Sequence, residues 1–260
     1  MSTNKVEGVL KGKVAIITGG AQGIGLAFAS GMAKEGCKIV IADIDLEKAK
    51  LAVKTIQEIG SEAVAVKTDV SDVEQTLQMA RTAVATFGKL DILINNAALV
   101  SRGSISRAPF NEIDIAEWDR VMAINVKGAF LCSRAVFPFM KEQKKGKIIN
   151  VTSTQFFKPV MTYAHYVVSK AGIIGLTRAL AMELGDYNIN VNCIAPGSVL
   201  TQPAANSGQL QSRQEAASRQ AIKRIEVPED LVGTAVFLAS SASDFMTGQT
   251  LVVDGGFVMH

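Results

Sequence analysis

The sequence predicts an α/β fold: one doubly wound domain over residues 1–260, with a mostly parallel seven-stranded sheet and helices on both faces. Three observations carry this. Short β-branched runs alternate with helical-period segments along the chain, as a parallel sheet with right-handed crossovers requires. The runs are apolar throughout, the pattern of strands buried on both faces. Glycines 36, 60, 88 and 185 each stand where a helical segment should stop. No linker, composition break or repeated motif divides the chain.

The elements follow in order. Residues 1–11 are polar and are expected to fray. KVAIIT at 13–18 reads as the first strand and runs into GGAQGIG at 19–25, then a helix over 26–35. KIVIA at 38–42 is a second strand, closed by Asp43. A helix over 47–59 and a strand over 63–68 follow, then a helix over 73–87 and a strand over 90–94. One long helix is expected from about 115 to 141, a strand over 147–151, a helix over 165–184, a strand over 189–194 and a last strand over 249–253. The stretch 201–222 is rich in Gln, Ser, Ala and Asn, too polar for a core strand and too long for a connection. It is expected to be a mobile substrate lid.

Composition bounds the function. A hydrophobic share of 48% with 20% charge fits a sizeable core. The net charge of +3 is spread out, and the basic run Lys141, Lys144, Lys145 and Lys147 carries no interleaved aromatics, so nucleic acid is not an expected partner. No apolar run suggests a membrane span and no leader pattern opens the chain, so neither membrane nor secretion is expected. Cys37, Cys132 and Cys193 are widely spaced and only two histidines exist. That excludes a disulfide framework, suits a reducing cytoplasm and leaves no expected metal site.

Ligands of open parallel sheets bind beyond the carboxyl ends of the strands. The first such end is the glycine turn, where Gly19, Gln22, Gly23, Ile24 and Gly25 are candidates to meet a pyrophosphate at a helix N-terminus. The spacing is Gly-x-x-x-Gly-x-Gly. Asp43, with Ile44 beside it, closes the second strand. A carboxylate there accepts both hydroxyls of an adenosine ribose and repels a 2′-phosphate, which predicts NAD rather than NADP.

The middle of the chain, STQFFKPVMTYAHYVVSK at 153–170, carries the candidate chemistry. Tyr166 and Lys170 are four apart and share a helix face, whereas the fourth neighbour of Tyr163 is Val167. An ammonium near a phenol favours the phenolate, making Tyr166 a usable acid or base. Alone the pair is equally well two residues of a surface helix.

With TGGAQGIG (18–25), DV (69–70), NNAA (95–98), Asn125, Ser153, YVVSK (166–170) and PGSVLT (196–201) in this order, the chain resembles the short-chain dehydrogenase/reductase family over essentially its whole length. INVTST (149–154) and the tail TGQTLVVDGGFVMH (247–260) are similar to a subgroup of 1-phenylethanol-type and pyridoxal 4-dehydrogenases. The resemblance implies a Rossmann-type fold and hydride transfer between a secondary alcohol or ketone and a nicotinamide. It implies roles for Asp69 and Val70 at adenine, for Asn96, Ala97 and Ala98 along the adenosine side, and for Pro196, Val199 and Thr201 at the nicotinamide carboxamide. Tyr166 would move the alcohol proton, Lys170 would bond the nicotinamide ribose, Ser153 would hold the substrate oxygen, and Asn125 would hold a water completing a proton relay. Ala98 departs from the family's glycine and would be strained if its φ were positive.

The substrate is expected among 99–110, 155–163 and the lid. Ser153, Gln155, Phe156 and Met161 are the pocket candidates, and the apolar groups suggest a compact apolar, cyclic or aromatic ketone. Arg102 and Arg107 keep open a 3-oxoacyl-carrier-protein reductase with a basic docking patch. His165 beside the tyrosine could touch substrate, and His260 has no assigned role. A catalytically silent NAD sensor or scaffold would be expected to lack one of Asn125, Ser153, Tyr166 or Lys170, and none is missing. The small residues of AGIIGLTRALAMELG (171–185) and the resemblance together imply a homotetramer.

Overall fold

The β-branched runs form seven strands: β1 (Val14–Thr18), β2 (Lys38–Asp43), β3 (Ala63–Lys67), β4 (Ile92–Asn95), β5 (Gly146–Val151), β6 (Ile189–Pro196) and β7 (Thr250–Val253). The computed structural model describes residues 8–100, 104–201 and 207–259. The strands lie in the order β3-β2-β1-β4-β5-β6-β7. Every pairing is parallel, from Ile39 against Ala63 at one side to Pro196 against Val253 at the other. Chain order reverses between β1 and β4, so a crevice opens beyond the carboxyl ends of these two strands.

The helices are α1 (Gly23–Lys34), α2 (Leu46–Glu58), α3 (Val73–Phe87), α4 (Ile115–Met122), α5 (Gly128–Gln143), α6 (Ala164–Leu184), α7 (Ser207–Ser218) and α8 (Val232–Ala239). Alternation along the strands divides the core in two. Ile17, Ile39 and Ile41 face one side with Phe28 and Met32 of α1, Ile56 of α2 and Leu238 of α8. Ile16, Val40 and Leu93 face the other with Met79 of α3, Met140 of α5 and Leu184 of α6. Fully burying one such side chain contributes about 1.5–3 kcal/mol, so both layers are needed to hold the sheet.

The structure departs from expectation in five places. Fraying does not reach Leu10, which is fully buried and whose N–H donates to the Glu35 carbonyl at 3.0 Å; residues 1–7 lie outside the described residues. β4 starts at Ile92, since Leu90 instead has its backbone tied down by the Gln143 side chain. The long helix is broken by a π-turn at Ala123–Lys127, in which the Gly128 N–H reaches back to Ala123. α8 had no sequence-level forecast. Within the expected lid, 207–218 is the helix α7, and 202–206 lie outside the described residues. The joined helical stretch Ile115–Gln143 is long and apolar enough to cross a membrane, but Leu131, Val136 and Met140 pack into the core.

Three helices start on aspartate caps: Asp45 accepts from Lys48 N at 3.1 Å, Asp72 from Gln75 N at 3.0 Å and Asp114 from Ala116 N at 3.1 Å. α1 differs, because Gln22 supplies no side-chain cap. Its first-turn N–H groups are left facing the crevice.

Candidate active site

A cleft of about 810 Å³ runs across the carboxyl ends of the strands. At one end lies the glycine turn. Gly19 and Gly23 have φ of 61° and 58°, which a side chain would strain. A Cβ on Gly25 would fall 2.2 Å from the Gly19 carbonyl oxygen and 2.7 Å from Asn96 Nδ2, so Gly25 closes the turn from beneath and does not line the cleft. Gly19, Gln22, Gly23 and Ile24 do line it. Bare backbone at an uncapped helix N-terminus fits a pyrophosphate.

Asn96 holds this turn against β4. Its Nδ2 donates to the carbonyls of Thr18 and Gly19, both at 3.0 Å, while the N–H groups of Asn96 and Ala97 donate to Thr18 Oγ1 at 3.0 and 3.1 Å. Asn96 therefore positions the turn as well as walling the cleft with Ala97 and Ala98. Ala98 is not at positive φ, so the departure from glycine carries no strain.

Asp43 stands half-buried at the end of β2, its two oxygens accepting from Ala21 N and Asp45 N, each at 3.1 Å. These bonds fix the carboxylate toward the glycine turn, with Ile44 beside it in the cleft wall. Further along, Asp69 and Val70 line the same wall, and Asp69 Oδ1 is held by the N–H and hydroxyl of Ser71 at 2.9 and 2.6 Å. A carboxylate for ribose hydroxyls, a bare helix start and a second carboxylate for adenine form a sequence of groups that fits an adenine dinucleotide.

The other end is built on β5 and α6. Asn95 Nδ2 donates to Asn150 Oδ1 at 2.8 Å, and Asn150 Nδ2 to Thr177 Oγ1 at 2.9 Å, tying β4, β5 and α6 through buried polar groups. Thr152 Oγ1 donates to the Lys170 carbonyl at 2.6 Å and Lys170 Nζ to the Val151 carbonyl at 3.0 Å. Ser153, just beyond β5, is thereby set beside Tyr166, whose ionised form it favours. Ser153, Tyr166 and Lys170 all line the cleft, although each is nearly fully buried.

The electrostatics bear on the expected activation of the phenol. Burial raises the Tyr166 phenol above its ordinary value, the Ser153 hydrogen bond offsets this in part, and the lysine charge is not among the causes. Burial also pulls Lys170 down to about 8. Its ammonium lies 5.7 Å from the Tyr166 ring centroid and donates to the Val151 carbonyl. Tyr163 stacks on Tyr166 with centroids 4.6 Å apart, under the Arg107 guanidinium at 5.1 Å, which makes it a wall of the site.

Asn125 lies behind the cleft, in the π-turn. Its Oδ1 accepts from Leu99 N at 2.7 Å, and its Nδ2 donates to the Leu99 carbonyl at 3.1 Å and Ser169 Oγ at 3.0 Å. With its side-chain donors thus used, it ties the chain after β4 to α6. His165 likewise points away from the cleft. It is fully buried, with Nε2 3.1 Å from Glu117 Oε1, and Glu117 also holds the backbone and hydroxyl of Ser106.

On the substrate side, Gln155 lines the cleft but Phe156 and Met161 do not. A 3₁₀ turn at Thr154–Phe156 swings the Phe156 ring onto Phe157, with centroids 5.2 Å apart, and Met161 is 87% exposed. The cleft is instead completed by groups that sequence reading missed: Lys158, Ser198, Arg213 and Arg219, with Glu215 and Phe257. Lys158 lies in 155–163 and Arg213, Glu215 and Arg219 in the expected lid, so their stretches were expected around the substrate although these side chains were not singled out; Ser198 belongs to the PGSVLT turn and Phe257 to the tail. At that turn Pro196, Val199 and Thr201 all reach the cleft, as expected. Arg102 and His260 lie outside the described residues.

Comparison with known proteins agrees with this architecture. The family profile described as enoyl-(acyl carrier protein) reductase matches residues 19–258. The chain is 40% identical over 255 residues to the 2-dehydro-3-deoxy-D-gluconate 5-dehydrogenase of Dickeya dadantii (strain 3937), covering 96% of each chain. It is 39% identical over 257 residues to the 5-keto-D-gluconate 5-reductase of Escherichia coli (strain K12), covering 96% of this chain and 97% of the other. A solved structure of NAD+-bound xylitol dehydrogenase superposes with a TM-score of 0.87 at 32% identity, covering 95% of this chain and 99% of that one. None of these is a 1-phenylethanol or pyridoxal 4-dehydrogenase, so the narrower resemblance gains no support from them. With the glycine turn, the serine–tyrosine–lysine group and these relatives in agreement over nearly the whole chain, the protein belongs to the short-chain dehydrogenase/reductase family.

Proposed function

We propose that the protein is an NAD-dependent dehydrogenase that interconverts a secondary alcohol and its ketone. The observation that carries this is Ser153 and Tyr166 side by side in the wall of a cleft whose far end presents a bare helix start and the fixed carboxylate of Asp43. When bound, the dinucleotide supplies the hydride acceptor and, oxidised, a positively charged ring. Tyr166 takes the alcohol proton in oxidation and returns it in reduction. Ser153 donates to the substrate oxygen and stabilises the developing alkoxide. Lys170 would bond the nicotinamide ribose hydroxyls, and a proton relay would pass from it by way of water donating to an oxygen of Asn125, whose side-chain donors are already used.

Asp43 supports NAD over NADP, since a 2′-phosphate would meet a carboxylate that two backbone donors hold in place. The apolar, cyclic or aromatic substrate foreseen from the sequence keeps Pro159 and Val160 in the cleft wall but not Phe156 and Met161. The acyl-thioester alternative is weakened by Arg107, which is engaged over the Tyr163 ring. A homotetramer and residence in the cytoplasm belong to the same proposal. Exposed Phe130 of α5 and Val168 and Met182 of α6 support the first, and three buried free cysteines the second.

The test is NADH formation, read at its absorbance band, across aryl alkanols, cyclic alcohols, pyridoxal, small hydroxy acids and 3-hydroxyacyl thioesters. Turnover of a secondary alcohol supports the proposal. Binding of NADH with no turnover across the panel would favour the silent sensor, and preference for thioesters would favour the carrier-protein reductase.

A further inference from the structure

The turn at 196–201, which brings Pro196, Val199 and Thr201 to the cleft, rests on an acid that the reaction just described does not use. Glu226 is buried and meets the turn at both ends. Its backbone carbonyl accepts from Leu200 N at 2.8 Å. Its Oε1 accepts from Gly197 N at 3.4 Å, a donor shared with the Val253 carbonyl at 3.3 Å. The fit is close, since a Cβ on Gly197 would fall 2.6 Å from Glu226 Oε2 and 2.8 Å from Asp254 Cβ. The turn is thus wedged against two acid side chains.

The neighbouring acids show what Glu226 lacks. Asp254, after β7, accepts from the N–H groups of Gly256, Phe257 and Val258 at 2.9, 3.1 and 2.9 Å. Asp230, in the 3₁₀ turn Pro228–Leu231, accepts from the Arg224 guanidinium and from Val227 N. Glu226 has one long, shared side-chain bond, and its buried Oε2 has no hydrogen-bond partner among the described residues. A carboxylate there is a buried charge short of donors, whereas the neutral acid loses far less on burial. The charged groups that act on it are Asp254, Asp230 and, from α7, Arg213, so two of the three oppose a further negative charge. Burial above all raises the group to about 7, which brings its change of charge to neutrality.

Resting on the dinucleotide-binding part of the proposed function, we infer that Glu226 is a positioning residue for the cofactor. As the neutral acid it seats the 196–201 turn for the nicotinamide half; as the carboxylate it draws water or donors toward Oε2 and unseats the turn. Cofactor binding therefore weakens as Glu226 ionises. By linkage, binding takes up a proton wherever the free protein holds Glu226 as the carboxylate.

NADH binding to the whole protein, followed by fluorescence from about pH 6 to 8, tests this beside Glu226→Gln, which stays neutral throughout. If only the neutral form is competent, the wild-type Kd should rise about tenfold more across this range than that of the variant. Any contribution from Lys170 is present in both proteins and cancels in the comparison. Calorimetry in two buffers of different ionisation enthalpy should show proton uptake on NADH binding by the wild type, and less by the variant. Equal pH slopes in the two proteins would overturn the inference, as would wild-type binding without proton uptake. Weaker binding by Glu226→Gln at every pH, with the wild-type slope retained, would make Glu226 a structural support only and equally overturn it. NADH binding at no pH would refute the dinucleotide-binding function itself, and this inference with it.

Discussion

Replacing Asp43 by Asn isolates the charge that selects the cofactor. The carboxylate is held by two N–H donors at 3.1 Å, so it cannot swing away from a 2′-phosphate without giving up both bonds. Two unit charges about 4 Å apart interact by about 4 kcal/mol at an effective dielectric of ~20. Asp43 is half-buried at the mouth of the cleft, and solvent screening lowers this to roughly 3 kcal/mol, a factor of about 100 in relative binding. The asparagine oxygen keeps one backbone donor and the other loses its acceptor, at a cost of about 1 kcal/mol in stability. The assay is kcat/KM for NADH and NADPH with one ketone. The wild type should prefer NADH by roughly 100-fold, and Asp43→Asn should bring the ratio to within about tenfold. An unchanged ratio, or a wild type that prefers NADPH, would refute the reasoning.

Two further predictions concern buried charges. Lys170 titrates near 8 in the folded cofactor-free protein because of burial, and near its ordinary value when unfolded. Below pH 8 the penalty of the buried ammonium is fully present; it is relieved as pH rises from about 8 toward 10.5. Lys170→Met should therefore gain most over wild type below pH 8, with the difference in denaturation free energy shrinking across that window. A difference independent of pH would contradict this. Glu226 shows the opposite sign. It is buried behind Gly197, with Oε2 unpartnered among the described residues, and burial raises it to about 7. The folded state then holds a proton that the unfolded state releases, so stability falls from about pH 4.5 to 7. Glu226→Gln should flatten this part of the stability profile, measured by chemical denaturation, and an unaltered slope would count against a buried carboxyl at that position.

The sheet was legible in the sequence because its strands are short β-branched runs with glycines behind the helices. The serine, tyrosine and lysine were legible because helical spacing and the end of a strand place them together. What was not legible depended on contacts between distant segments. VGTAVFLA, the sequence of α8, is apolar almost throughout and offers no polar stripe to mark a helix. The π-turn leaves no local signature, and only the fold shows that Asn125 spends its amide on Leu99 and Ser169. Phe156 and Met161 looked like pocket residues because they are apolar and close in sequence to Ser153. A single 3₁₀ turn reverses that, and the wall is filled by Lys158 and by arginines some fifty residues away.

The central claim is that Tyr166 is the group that exchanges a proton with the substrate oxygen. Tyr166→Phe keeps the ring that stacks on Tyr163 at 4.6 Å and removes only the hydroxyl. NADH binding, followed by fluorescence, should match wild type, while kcat for secondary alcohol oxidation should fall by about 10²–10⁴-fold, the range for loss of a general acid–base group. Turnover at the wild-type rate with NADH binding intact would contradict the account.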